Sequence, residues 1–158
     1  MSMASNVRNY LDRTGIHYSV DHHPHTHTSM HTAESAHVPG DQLAKAVLLR
    51  DSVGYLLVVV PATHRVHISE LHEQFGRNLE TASEAELEYV FIDCEKGAVP
   101  ALGPAYDLET VVDPWLCEQS DVYFEGGDHE ALVHMAGEDF EELLEEAEFI
   151  GCSKRWMQ

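Results

Sequence analysis

Lys45 is one of only three lysines in the chain, and it opens the apolar run Lys45-Ala46-Val47-Leu48-Leu49-Arg50. A lysine placed there either snorkels to the rim of a sheet or projects into a cleft as a fixed cation. The segment from Cys94 to Pro104 carries two glycines, Gly97 and Gly103, and two prolines, Pro100 and Pro104. Glycine permits backbone geometry closed to other residues and proline stiffens the path. Such a loop either clamps a small polar ligand through its backbone groups or is an ordinary turn-rich connection. Gly126-Gly127-Asp128-His129 places a histidine after a glycine turn, as an acid, base or hydrogen-bond donor or as the solvated flank of a hairpin. His22, His23, His25, His27 and His31 include two His-x-His pairs, but no cysteine lies nearby, so the tract is compositional evidence only for a metal. Cys94 has only Lys96 as a basic neighbour in sequence, and reads as a small core residue rather than a nucleophile. No GxGxxG, P-loop, HExxH or GxSxG pattern is present.

The elements that would position these residues follow from periodicity. Val7, Tyr10, Leu11 and Thr14 share one helical face, and Gly15 supplies a stop. Ile16, Tyr18 and Val20 alternate as in a half-buried strand. The stretch from His22 to His31 reads as a loop, with a short helix over Thr32 to Ala36. The runs from Lys45 to Arg50 and from Tyr55 to Val60 flank Asp51-Ser52-Val53-Gly54 and predict a hairpin. The second arm is apolar on both faces, which places it centrally in the sheet. Ser69 is read as the cap of a helix through Phe75, and Ser83 with Glu86 as the capping box of another reaching Tyr89. Short strands are expected at Val90 to Ile92, Thr110 to Val112, Val122 to Phe124 and Ala131 to Met135. An acidic helix over Asp139 to Ala147 closes the pattern. Strands dominate and helices interrupt them irregularly, which is an α+β class with a mixed sheet.

Composition excludes several alternatives. The 158 residues suit one domain spanning 1–158, and no apolar run approaches the roughly 20 residues needed to cross a bilayer. Met1 to Asn6 lacks the basic and apolar regions of a secretory signal. Cys94, Cys117 and Cys152 are odd in number and widely spaced, as expected of reduced thiols in a cytoplasm. The formal net charge is −19. Residues 1–77 contribute −1 of it and residues 78–158 contribute −18. A field of that sign argues against general nucleic-acid binding and leaves residues 1–77, with ten of the twelve histidines, as the side for any polyanion.

Four segments in order, "KAVLLR" from Lys45, "VVVPATHRV", "DCEKGAVPALG" and "FEGGDHEALVHM", resemble the YbaK/EbsC family. These are freestanding aminoacyl-tRNA deacylases related to the editing domain of prolyl-tRNA synthetase. The resemblance runs from about Tyr18 to Leu144. It implies a mixed, barrel-like β-sheet flanked by helices, and hydrolysis of the ester joining a wrong, small amino acid to a tRNA such as tRNA(Pro). On this likeness Lys45 matches the family's functional lysine. Gly97, Ala98, Val99 and Pro100 match its substrate loop, and Gly127 and His129 fall at a substrate-binding turn. No cofactor and no metal are implied. The partners implied are the aminoacyl-tRNA 3′ end, bound weakly and transiently, and in addition a synthetase. A monomer or weak dimer off the membrane is expected. Alanyl-type members carry Asn after the lysine, whereas this chain has Ala46, which leaves Cys, Ser, Thr or a non-protein amino acid open. A noncatalytic module of the same fold, binding a tRNA end, a small ligand or a protein, is the alternative.

Overall fold

A computed structural model describes residues 3–155. Fifteen segments build it: α1 (Ser5–Thr14), β1 (Ser19–His22), α2 (Ser29–Ala36), β2 (Leu43–Arg50), β3 (Tyr55–Pro61), β4 (His64–Val66), α3 (Ile68–Phe75), β5 (Glu80–Thr81), α4 (Glu84–Val90), β6 (Thr110–Val112), β7 (Asp121–Glu125), β8 (Ala131–Ala136), α5 (Gly137–Leu143), β9 (Glu148–Phe149) and β10 (Ser153–Arg155). The main sheet is ordered β1-β8-β7-β2-β3-β6-β9, with β5 added to β2. It is mixed: β2 runs parallel to β7, and β3 to β6, while the β2–β3 and β7–β8 pairs are antiparallel. β4 and β10 form a separate two-stranded ribbon. The expected α+β class with a large mixed sheet is therefore the observed one.

β3 shows why the sheet is covered on both sides. Its residues alternate between two cores: Leu57 and Val59 join the cluster containing Val7, Leu11, Phe124 and Phe140, while Leu56, Val58 and Val60 join Leu71 and Val111 beneath α3. All five are fully buried, at about 1.5–3 kcal/mol of transfer free energy per side chain. A third, smaller cluster seats α2 on the sheet through Ala33, Leu43 and Leu132. That contact brings the start of α2 beside Lys45.

Several boundaries differ from the sequence reading. Val90 to Ile92 is not a strand: the Ser83–Glu86 capping box starts α4, which runs to Val90, and Phe91 caps its end. Phe91 is buried edge-on against Tyr106 and Ile92 is left in solvent. Ser69 caps nothing, because α3 begins one residue earlier, after His67 has been fixed by its N–H bond to the Cys152 carbonyl. The histidine tract is only partly loop, since His22 ends β1 and α2 begins at Ser29 under a Thr28 side-chain cap. α5 stops at Leu143; the carboxylates of Glu141, Glu142, Glu145 and Glu146 would repel one another and the negative helix end if it continued.

Candidate active site

Lys45 is the third residue of β2, opposite Val60 of β3. Its stem is half-buried, and its Nζ donates a 2.6 Å hydrogen bond to the carbonyl of His64. Burial draws its pKa below the ordinary lysine value. The His64 ring is buried beside Trp115, and desolvation lowers its pKa as well. The strand thus presents an ammonium group whose direction is set by a backbone acceptor.

The opposite wall is the turn between β7 and β8. Glu125 ends β7, and its Oε2 accepts three backbone N–H groups, from Gly127 (2.8 Å), Asp128 (3.1 Å) and His129 (3.0 Å). Asp128, itself buried, accepts the N–H groups of Glu130 and Ala131 through Oδ1. These two carboxylates force the turn so tightly that His129 adopts φ +65°, a left-handed backbone that costs a non-glycine residue about 1–2 kcal/mol. Gly127, at φ +116°, also has no room for a side chain: a Cβ there would lie 2.8 Å from that of Ala4.

The loop over Glu95 to Pro100 is tied to that turn. The Glu95 N–H bonds the Gly127 carbonyl, and His129 Nε2 donates to the Lys96 carbonyl at 2.7 Å. A carbonyl only accepts, so Nε2 carries the proton, and in the neutral ring Nδ1 keeps its lone pair. Gly97 sits between them at φ +81°, and a Cβ there would meet the His129 ring at an ordinary contact distance of 3.7 Å, so conformation rather than crowding requires glycine. The rings of His25 and His27 approach His129 with centroids 4.9 and 5.5 Å away, and His25 faces Glu95.

These parts enclose a cleft of about 500 Å³, its open mouth included, lined by Lys45, Gly97, Val99, Glu125 and His129 with Thr32 of α2. Of the residues singled out in the sequence, His27, Lys45, Gly97, Val99 and His129 meet on its walls. Ala98 and Pro100 are buried behind the loop, and Gly127 shapes the turn without lining the cleft. Lys45 is the one lysine or arginine among the described lining residues, and Glu125 the one carboxylate. Glu125 and Thr32 escaped the sequence reading; a strand-terminal Glu directly before Gly-Gly was the available signal. Among the described residues no three His, Cys, Asp or Glu side chains are arranged to hold a metal ion. Cys94 lies against Tyr106 and Asp93, and burial pushes its thiol up to about 12, far from a thiolate at neutral pH.

Comparisons with known proteins bear on the family and the fold. The model of the aminoacyl-tRNA editing domain family matches residues 23–143. No curated protein sequence matches. A hypothetical protein of known crystal structure superposes with TM-score 0.83 at 23% identity, covering 95% of this chain and 100% of that one. A candidate trans-editing enzyme for prolyl-tRNA synthetase does so with TM-score 0.82 at 22% identity, over 97% and 99% of the two chains. A candidate signal-transduction protein from Marinobacter aquaeolei matches at 0.78 and 21%, over 96% of this chain but 31% of its own. At these identities the structures speak for the fold. The family model covers both walls of the cleft, and the chain belongs to the aminoacyl-tRNA editing domain family.

Proposed function

We propose that the protein is a trans-acting deacylase, one domain over its whole length, that hydrolyses the ester of a small amino acid mischarged onto tRNA, in the cytoplasm. The observation that carries this reading is the meeting of Lys45, the Gly97 loop and His129 in one cleft. An aminoacyl ester is already activated, so placement and charge stabilisation do most of the work. Water oxygen bonds to the ester carbonyl carbon, the bond from that carbon to the ribose oxygen breaks, and the water proton ends on the ribose oxygen. Lys45 neutralises the terminal phosphate or the oxyanion that develops on the carbonyl. His129, its Nε2 proton committed to Lys96, offers Nδ1 as the acceptor that orients the attacking water. Glu125, held in place through Oε2, is the anionic partner for the substrate's α-ammonium group. Ala46, Val99 and Leu132 supply the apolar part of the cleft, which suits a short side chain and excludes larger ones by size.

The test is deacylation of Ala-, Cys- and Ser-tRNA(Pro) by the wild type and by Lys45→Ala. Hydrolysis of one species, lost in the variant, is the expected result. A panel left intact by the wild type overturns the reading.

A further inference from the structure

Four of the nine lysines and arginines of this strongly acidic chain gather around one small element. β4 and β10 pair antiparallel with Arg65 opposite Lys154 and His64 opposite Arg155. Arg65 and Lys154 therefore project from one face of the ribbon, and both are exposed. Arg155, on the other face, holds Asp41 at 2.7 Å. The residue just before Arg65 is His64, whose carbonyl receives Lys45 Nζ. The ribbon is thus joined directly to the cationic wall of the cleft. The indole of Trp115 packs 5.9 Å from the His64 ring, on the ribbon face of Arg155 rather than that of Arg65 and Lys154.

The remaining cations lie on other elements: Arg50 ends β2, Arg77 follows α3, and Lys96 lies in the loop between α4 and β6. Arg8 and Arg13 lie on α1. Of the carboxylates near the ribbon, Asp41 also accepts from Thr63, and buried Asp113 accepts from the Ser153 hydroxyl and the Cys152 N–H. Glu70 faces His67 at the foot of α3. Lys154 and Arg155 also lie beyond residues 23–143, which the family model matches.

We propose that the β4–β10 ribbon is the surface on which the tRNA backbone docks, Arg65 and Lys154 meeting phosphates next to the 3′ end. The inference rests on the aminoacyl-tRNA reading of the cleft. Three residue pairs extend about 10 Å, enough for a few phosphates. Local positive charge is what lets a chain of net −19 approach a polyanion at all. Half of this surface comes from the acidic C-terminal part of the sequence, which the charge balance of residues 1–77 did not point to.

The experiment compares the wild type with R65E/K154E, both exposed positions, on uncharged tRNA and on two substrates: the full mischarged tRNA and a short aminoacylated fragment ending in CCA. Affinity for uncharged tRNA is expected to fall about tenfold at low salt, and the slope of log Kd against log salt to flatten by about 1–2. The ratio of kcat/KM on full tRNA to that on the fragment is expected to fall about tenfold, through KM. Wild-type values for affinity, slope and ratio in the double variant overturn the ribbon. If the wild type hydrolyses neither substrate, the deacylase reading fails, and the binding arm still decides the ribbon by itself.

Discussion

The two walls of the cleft hold their functional groups in opposite ways. Lys45 stands on a strand flanked by β3 and β7, and the His64 carbonyl, from outside that strand, accepts from its Nζ. His129 sits in a turn that exists because Glu125 and Asp128 collect five backbone N–H groups between them. One wall is a strand scaffold with an ammonium group mounted on it. On the other, the scaffold and the group are the same few residues. Changes on the first wall should alter chemistry and spare stability, whereas changes on the second should alter both.

Lys45→Ala is the strongest challenge to that contrast. Loss of the cation is expected to lower deacylation about 100- to 1,000-fold, the scale for removing one charge-stabilising group. The melting temperature should hardly move, because the ammonium is partly desolvated and its removal relieves that cost. The same burial sets the pH dependence. Lys45 has a depressed pKa, so its charge is lost on raising the pH sooner than for an ordinary lysine, and the rate should decline there. A rate flat through the alkaline range would remove Lys45 from the charge-stabilising role.

Glu125→Ala should show the opposite profile. Three amides lose their acceptor, which costs about 1–3 kcal/mol for each that stays buried and unsatisfied. Thermal melts should register a clear drop together with lost activity. Glu125→Gln keeps an acceptor oxygen and should recover most of the stability but not the activity. Equal stability of Glu125→Ala and wild type would erase the distinction between the walls. Gly97→Ala should be milder: the backbone at φ +81° costs alanine about 1–2 kcal/mol. Its effect on rate should arise through the Lys96 carbonyl that fixes His129. The smallest effect is expected for Cys94→Ser, which should retain most activity; a large loss would mean that the thiol takes part in the chemistry.

The same contrast explains what could be read from the sequence. β3 announced its central place because Leu56 to Val60 are apolar at every position, and a strand buried on both faces is the structure that needs this. The Ser83–Glu86 capping box was readable because it is a local exchange of hydrogen bonds over three residues. Lys45 and Gly97 stood out by residue type and position and took roles from the family likeness, and the structure brings them to one cleft with His129. Glu125 was passed over because its role depends on amides that converge only when Gly127 and His129 take positive φ, which its place before Gly-Gly hints at but no periodicity encodes. His25 and His27 are near His129 only because β1 pairs with β8 in a particular register, Ser19 opposite His134 and His22 opposite Ala131. Val90 to Ile92 misled because β-branched residues also end helices when an aromatic neighbour, here Phe91, can be buried there.

The ribbon has a consequence for how the molecule assembles. Arg65 and Lys154 are partners across 89 positions of chain, and closing so long a loop is among the slower steps available to a polypeptide. The cleft needs nothing beyond β8: β2, α2, the Gly97 loop and the β7–β8 turn are all synthesised before residue 137. The residues lining the cleft thus all fall between His27 and Leu132, whereas the proposed docking ribbon exists only once β10 has returned to β4.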